Sequence, residues 1–147
     1  GYTYGISSGF RGNDTDGMFV IQTAVKGEAT DSALTEIFKE IDSYLLNGIS
    51  EEELNFTKKS MSNSDALKYE SPLQKANFLS QIQEYNLNKN YPEKQKEILN
   101  SISINDINNI AKKNIHNNDI VVVVVGNKYS LKDKLEQFGK VTEVKLK

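Results

Sequence analysis

The sequence predicts an α+β fold in which helices pack on one face of a mostly antiparallel sheet. Gly1–Phe10 alternates large and small side chains, a period of two that is typical of a strand. After Gly27 the apolar residues recur every three or four positions, which indicates helices. Near the C-terminal end, the Val-rich run Ile120–Gly126 predicts a return to the sheet, because β-branched side chains are crowded in a helix.

Four strands are predicted, two in the N-terminal part and two in the C-terminal part. Gly1–Phe10 and Met18–Val25 form a hairpin, because residues 11–17 between them are rich in Gly, Asn and Asp. Ile120–Gly126 is apolar on both faces, which predicts an interior strand, and Val141–Leu146 alternates and closes the sheet. Since the alternation starts with the first residue, we expect a sheet truncated at the N-terminus, whose exposed edge could support a homo-oligomer.

The first predicted helix lies between residues 30 and 48. Thr30 or Asp31 can cap its start, and Gly48 occupies the position where a left-handed C′ residue is favoured. Its apolar stripe is formed by Leu34, Ile37, Phe38, Ile41, Tyr44 and Leu45. This stripe predicts the helix face that packs on the sheet.

Capping signals predict the next two helices. Ser50 and Glu53 form a capping box that opens a mostly exposed helix to about Tyr69. Ser71 as N-cap and Pro72 at the first helical position open the following helix. We expect its buried stripe to be Leu73, Ala76, Leu79, Ile82 and Tyr85.

Three shorter helices complete the prediction. Pro92 begins a helix that runs to Leu99, and Ser103 caps another helix. The last helix precedes the closing strand and ends at Gly139. Its apolar residues are Leu131, Leu135 and Phe138.

Composition indicates a single soluble domain over residues 1–147. Hydrophobic residues make up 37% and charged residues 26% of the sequence. The net charge of -2 argues against a nucleic-acid partner, and no apolar run approaches the roughly 18 residues of a membrane span. The sequence has no Cys, which excludes disulfides and is compatible with the cytoplasm and the periplasm alike.

Several segments, in order, resemble the pitrilysin/insulinase-type (inverzincin) zinc metallopeptidases. Gly48-Ile49-Ser50-Glu51-Glu52-Glu53-Leu54 is similar to the helix start of that family, and Tyr4 followed by Ser7-Ser8-Gly9 is similar to the strand that opens the second half of its domain. Further similar segments are Glu70-Ser71-Pro72, Ser101–Ile107, Asp119–Gly126 and Leu135–Val141. The resemblance covers nearly the whole chain and places it in the later two-thirds of a non-catalytic domain.

What this resemblance implies is a metallohydrolase-like α+β module of the pitrilysin/processing-peptidase type. Active members pair a catalytic copy, which holds Zn, with a non-catalytic copy, and the two enclose a chamber for a peptide substrate. The expected partner is therefore a catalytic domain or subunit of the same family. This chain is then a partial peptidase C-terminal-type domain, inactive alone but part of a zinc metalloendopeptidase. The alternative is a structural or binding subunit of the same fold with no peptidase role, and a third possibility is an α+β domain of another kind.

No catalytic or metal-binding residue is expected in this chain. The family's zinc motif H-x-x-E-H is absent, because His116 is the single His, and it lies in a polar stretch that predicts an exposed loop. The Glu51–Glu53 acids suit a helix start. Asn13–Gly17 has loop chemistry and lacks the Glu of a calcium loop, and Gly9-x-x-Gly12 precedes a strand, where no phosphate site is expected. The chain itself is expected to bind no cofactor.

Tyr4 is the candidate substrate-binding residue. In the family this Tyr acts with an Arg further upstream, which would fall before residue 1, and holds the substrate backbone near the zinc. The resemblance implies the same role for Tyr4. The residues alone also allow a core aromatic, because strict alternation puts Tyr4 on one face with Tyr2, Ile6, Ser8 and Phe10. On that pattern the small residues Thr3, Gly5, Ser7 and Gly9 would face the helices.

Overall fold

The computed structural model describes residues 3–13, 15–65 and 70–144. The chain divides into two compact units. The first unit combines Gly1–Leu46 with Lys112–Lys147, and the second consists of Asn47–Ala111. Across the described residues there is one two-stranded antiparallel sheet with six α-helices. This arrangement confirms the predicted α+β class.

The first unit begins with the predicted hairpin. Strand β1 (Thr3–Gly12) pairs with strand β2 (Gly17–Val25), and Phe10 lies opposite Phe19. The two rings lie 5.1 Å apart between centroids, as expected for directly opposed residues on one face. The register is irregular between Thr3 and Ile6. The strict alternation expected from the sequence therefore does not extend through Tyr4.

An Asn side chain forms the turn of the hairpin. The Asn13 Oδ1 atom accepts hydrogen bonds from the backbone N–H groups of Thr15 and Asp16, both at 2.9 Å. The backbone N–H of Asn13 donates to the Asp16 carbonyl, also at 2.9 Å. This is the Asx-turn chemistry predicted for the loop. Asp14 lies outside the described residues.

Helix α1 (Thr30–Asn47) follows a 3₁₀ turn, Gly27–Ala29. Thr30 is already helical, and its backbone N–H donates to the Gly27 carbonyl. The prediction that Thr30 or Asp31 caps the helix is wrong, because the 3₁₀ turn runs directly into the helix. The predicted end is confirmed: Gly48 has a φ of 71°, the left-handed conformation that Gly adopts without steric cost.

The C-terminal part of the first unit packs beside the start of α1. Helix α6 (Lys128–Leu135) begins after Asn127, continues into a 3₁₀ turn, Glu136–Phe138, and ends at Gly139 as predicted. Lys134 ties α6 to the N-terminal segment: its Nζ atom donates to the Asp31 carboxylate at 3.2 Å and to the Glu28 carbonyl at 2.8 Å. The Phe38 ring stacks on the Phe138 ring.

The second unit holds three helices and most of a fourth. Their bounds are α2 (Glu51–Asp65), α3 (Pro72–Glu84), α4 (Tyr91–Ser101) and α5 (Ile104–Asn114), whose last residues lie in the first unit. The predicted buried stripe of α3 is wrong, since Leu73, Leu79 and Tyr85 are exposed. The half-buried residues of α3 are Phe78 and Ile82, and of these two only Ile82 belongs to the predicted stripe.

Capping boxes open α2, α3 and α5. The Ser50 N–H donates to the Glu53 carboxylate at 2.7 Å, and the Glu53 N–H donates back to the Ser50 hydroxyl at 3.2 Å. Ser71 with Gln74, and Ser103 with Asp106, make the same reciprocal pair. The predicted helix starts are thus confirmed, because a capping box depends only on neighbouring residues.

The two predicted C-terminal strands are not strands among the described residues. Ile120–Val125 is extended at its start but pairs with no described strand. Residues 141–144 also have no ladder partner, and the end of that predicted strand lies outside the described residues. The β-branched composition favours an extended backbone, whereas a strand also requires a neighbour to pair with.

The capping-box carboxylates predict a loss of stability in acid. The hydrogen bond from the Ser50 backbone, then that from its side chain, lowers the pKa of Glu53, and the Ser103 side chain followed by its backbone lowers the pKa of Asp106. Because both folded-state pKa values lie below the unfolded values, the stabilisation is present above the unfolded pKa and disappears as the pH falls through the folded pKa. We expect Glu53→Gln to reduce the loss of the free energy of unfolding as the pH falls. Urea unfolding at several acidic pH values measures this dependence.

Glu52→Gln is the matched control, because Glu52 lies in the same first turn but accepts no hydrogen bond from another described residue. It should leave this pH dependence almost unchanged. Equal slopes for the two variants between pH 3 and pH 5, a window of about two units around carboxyl pKa values, would contradict the assigned role of the Ser50–Glu53 pair.

Candidate functional site

Tyr4 lies on β1 with a fully exposed side chain. It makes no hydrogen bond to another described residue. Within the described residues, Tyr4 is therefore not covered by α1. The phenol is available as a donor or acceptor for a molecule from outside the unit.

A threonine network holds the backbone on both sides of Tyr4. The Thr3 hydroxyl lies 2.9 Å from the Thr23 hydroxyl on β2 and 2.7 Å from the Ala24 carbonyl. It also accepts from the Gly5 N–H at 3.0 Å, and the Thr23 hydroxyl donates to the Gly5 carbonyl at 2.9 Å. The exposed Tyr4 side chain therefore lies between Thr3, whose side chain bonds to β2, and Gly5, whose backbone carbonyl accepts a hydrogen bond from β2.

This network coincides with the irregular register between Thr3 and Ile6. A bulge adds a residue to one strand and re-aims the side chains beside it. Sequence reasoning missed Thr3, since a lone Thr in a strand pattern carries no distinct signal. Only the pairing with Thr23 shows what it does.

The helix-facing side of the sheet is the one that carries Ile6, Ser8 and Phe10. Ile6 and Ser8 line a groove of about 480 Å³ together with Phe19 and Ile21 of β2. The opposite wall comes from α1, through Ala33, Ile37, Ile41 and Tyr44, with Glu36 and Glu40 also in the lining. The expectation that the small residues of β1 would face the helices holds only in part, because Thr3 and Ser7 line this groove whereas Gly5 and Gly9 do not. Ile6 and Phe10 remain exposed. Tyr4 is not among the lining residues.

The other residues considered from the sequence lie apart from Tyr4. His116 is exposed and precedes a 3₁₀ turn, Asn117–Asp119. Glu51 and Glu52 lie in the first turn of α2 in the second unit. Within the described ranges, no three His, Asp or Glu side chains gather as a metal site would require.

No described helix combines the length and the apolar character that crossing a membrane requires.

The geometry defines a small surface site on β1. Its parts are the free phenol of Tyr4, a backbone fixed by Thr3 and Thr23, and the strand itself. A phenol in this position can donate one hydrogen bond to a carbonyl oxygen. Among the described residues, no group of three His, Asp or Glu side chains lies at this site.

Comparisons with known proteins place this geometry in context. Residues 1–61 match the family model described as the peptidase M16 inactive domain. A solved structure, described as the crystal structure of the peptidase M16 inactive domain from Pseudomonas fluorescens, is similar with a TM-score of 0.71 at 23% identity. The alignment covers 79% of this chain and 27% of that chain. No match was found among curated proteins.

These findings confirm the resemblance predicted from the sequence. The family model covers both strands, α1 and most of α2, including Tyr4 and the Ser50–Glu53 capping box. The solved structure supports the fold across a larger part of the chain. This chain spans about a quarter of the length of that structure's chain, given the 27% coverage.

Proposed function

We propose that this chain is the non-catalytic, substrate-contacting part of a zinc-dependent metalloendopeptidase of the pitrilysin/insulinase type. In this proposal residues 1–147 form one C-terminal-type domain beside a catalytic domain or subunit. The observation that supports it is the match of residues 1–61 to the peptidase M16 inactive domain, together with the similar fold. Peptide hydrolysis then belongs to the assembled enzyme.

Zinc does not fit this chain's own side chains. A catalytic zinc site takes three protein ligands, usually drawn from His, Glu, Asp and Cys. The sequence has one His and no Cys, and the described Asp and Glu side chains form no group of three with it. The proposal therefore assigns zinc and the general base to the catalytic part, and no reaction step to this chain.

The role proposed for Tyr4 is to hold the substrate backbone. A peptide in an extended conformation presents carbonyl oxygens at regular intervals, and the exposed Tyr4 hydroxyl can donate a hydrogen bond to one of them. Because the backbone beside Tyr4 is fixed by the Thr3–Thr23 network, binding would mainly restrict the phenol side chain. Such preorganisation increases the effect of a single hydrogen bond in a water-poor chamber.

A second candidate function is a structural or binding subunit of the same fold. The described residues contain no group of three metal-binding side chains. This observation agrees equally well with a structural subunit and with the non-catalytic part of a peptidase. The two functions differ in what the complete assembly does: a peptidase half supports chelator-sensitive cleavage, whereas a structural subunit does not.

The test compares the isolated chain with the assembly that contains it. The isolated chain should bind no stoichiometric zinc and cleave no peptide in a library, since it lacks three ligands. The assembly of this chain with its catalytic part should cleave peptides in a chelator-sensitive manner, and omission of residues 1–147 should abolish cleavage. Unchanged cleavage after that omission would contradict the proposal, and a zinc-free, inactive assembly would support the structural subunit instead.

A further inference from the structure

The connection between α1 and α2 contains Asn47-Gly48, the single Asn-Gly pair of the sequence. Asn47 is the last residue of α1, and it is exposed. Gly48 follows with a φ of 71°, and Ile49 then leads to the capping box of α2. The pair therefore lies at a helix end, where the backbone opens more readily than in the interior of a helix.

The fold requires Gly at position 48 for two reasons. A side chain is unfavourable at this φ, because its Cβ would crowd the neighbouring backbone. A Cβ added to Gly48 would also overlap with the side-chain amide of Asn108 on α5. The residue after Asn47 is therefore one that cannot shield its own backbone nitrogen with a side chain.

An unshielded backbone nitrogen makes the preceding Asn side chain labile. This nitrogen can attack the carbonyl carbon of the Asn side chain, because the two atoms close a succinimide ring without strain. Gly is the following residue that hinders the attack least, since it has no Cβ. Asn47 thus has the neighbour that favours the reaction most.

We propose that Asn47 is a site of spontaneous deamidation and that Asn108 is the residue that restrains it. The Gly48 nitrogen forms a bond to the Asn47 Cγ atom, and the bond from Cγ to Nδ2 breaks. The side-chain nitrogen leaves as ammonia, with the proton that the Gly48 nitrogen gives up. Water then opens the succinimide at either of its carbonyl carbons. The products are aspartate or isoaspartate at position 47, and the only co-reactant is water.

The folded conformation opposes ring closure at Asn47. An α-helical ψ lies near about −42°, and the ring requires a ψ outside the helical range, so the last turn of α1 must open first. The Asn108 Oδ1 atom accepts a hydrogen bond from the Ile49 N–H at 3.3 Å. Because this bond holds the backbone directly after Gly48, opening the turn also disturbs it. Asn108 is therefore a positioning residue that keeps Asn47 helical.

Both products weaken the connection between the helices. A carboxylate at the end of α1 lies at the negative end of the helix dipole, which is unfavourable. Isoaspartate also adds a methylene group to the main chain and shifts Gly48 relative to Asn108. The Ser50–Glu53 capping box follows directly, so the change reaches the start of α2. This inference does not rest on the proposed function, because the reaction requires no catalytic part.

Asn108→Ala tests the restraint. The chain is kept folded in a mildly alkaline buffer, and mass spectrometry of its proteolytic peptides measures the conversion of Asn47 with time. Isoaspartate is detected as the methyl acceptor of an isoaspartyl O-methyltransferase. We expect Asn108→Ala to raise the rate at Asn47 by about two- to tenfold, the factor that corresponds to one protein hydrogen bond. Equal rates in this variant and in the wild type would overturn the proposal.

Two controls separate a local effect from general unfolding. Asn109→Ala changes an exposed neighbour on α5 and should leave the rate at Asn47 unchanged. Asn100 is exposed near the end of α4 and is followed by Ser101, so it should convert more slowly than Asn47 and at the same rate in Asn108→Ala. If Asn108→Ala raised the rates at Asn47 and Asn100 equally, the restraint assigned to Asn108 would be wrong.

The modification site itself is tested in the wild-type chain. Asn47→Gln should remove the methyl-acceptor signal from the peptide that contains position 47. In the folded wild-type chain this signal should grow with time, and it should grow faster in urea, where the last turn of α1 no longer forms. Conversion of Asn47 in urea but not in the folded chain would show that the fold protects it, and the proposed site would be rejected.

Discussion

Tyr4→Phe is expected to lower the turnover of the proposed peptidase assembly by about ten- to a thousandfold, if the lost hydrogen bond acts mainly in the transition state. The change removes the phenolic oxygen and keeps the ring. Because the Tyr4 side chain is fully exposed and has no described hydrogen-bond partner, the fold loses nothing by the substitution. The measurement is kcat and KM for a peptide substrate, together with thermal unfolding of the same preparations.

Tyr129→Phe is the matched control for this experiment. Tyr129 is also exposed and belongs to the same unit, but it lies on α6 and away from the β1 site in sequence. Its variant should have the kcat and KM of the wild-type assembly. If Tyr4→Phe keeps full turnover while the assembly remains active, Tyr4 is not a substrate contact. That result would leave the assignment of the chain to a peptidase half in place.

Leu131→Ala is expected to destabilise the first unit by about 2–5 kcal/mol, the usual cost of removing a buried Leu side chain. Leu131 is 5% exposed and is the large apolar side chain that is buried in this unit among the described residues. Gly126 approaches it so closely that an added Cβ would lie 2.6 Å from Leu131 Cδ1. Such a loss is large beside a typical total stability of about 5–15 kcal/mol. Urea unfolding followed by circular dichroism measures it.

Leu46→Ala provides the control, since it makes the same change at an exposed Leu of α1. Its effect should stay within about 0.5 kcal/mol, as for other surface substitutions. If Leu131→Ala were as mild as Leu46→Ala, the C-terminal segment could not be an essential part of the core of the first unit.

Local chemistry explains which predictions were confirmed. The starts of α2, α3 and α5 were predictable, because a capping box joins residues only three apart, as in Ser50 with Glu53. The end of α1 at Gly48 was predictable for the same reason, since the left-handed backbone is a property of one residue. The hairpin followed from alternation and from a turn rich in Asn, Asp and Gly.

Predictions that depended on distant neighbours were less successful. The periodicity of α3 predicted a buried stripe, but it could not show which side of the helix another element covers, and Leu73 and Leu79 of that stripe are exposed. The site on β1 shows the same dependence. Its Tyr was identified through the resemblance, whereas the Thr3–Thr23 contact that fixes the backbone joins residues 20 positions apart. A side chain's role as a positioning group depends on its partner, and the partner is chosen by the strand register.

By itself, the sequence determined the α+β class, the hairpin, the helix boundaries set by caps and the resemblance to a peptidase module. The tertiary structure alone decided that Tyr4 is exposed, that Ile6 and Phe19 line a groove opposite the helix α1, and that Ile120–Val125 lies without a described strand beside it. The physical reason is the sequence separation over which each interaction acts. Capping and turn formation act between adjacent residues, whereas burial and strand pairing depend on which distant surfaces meet.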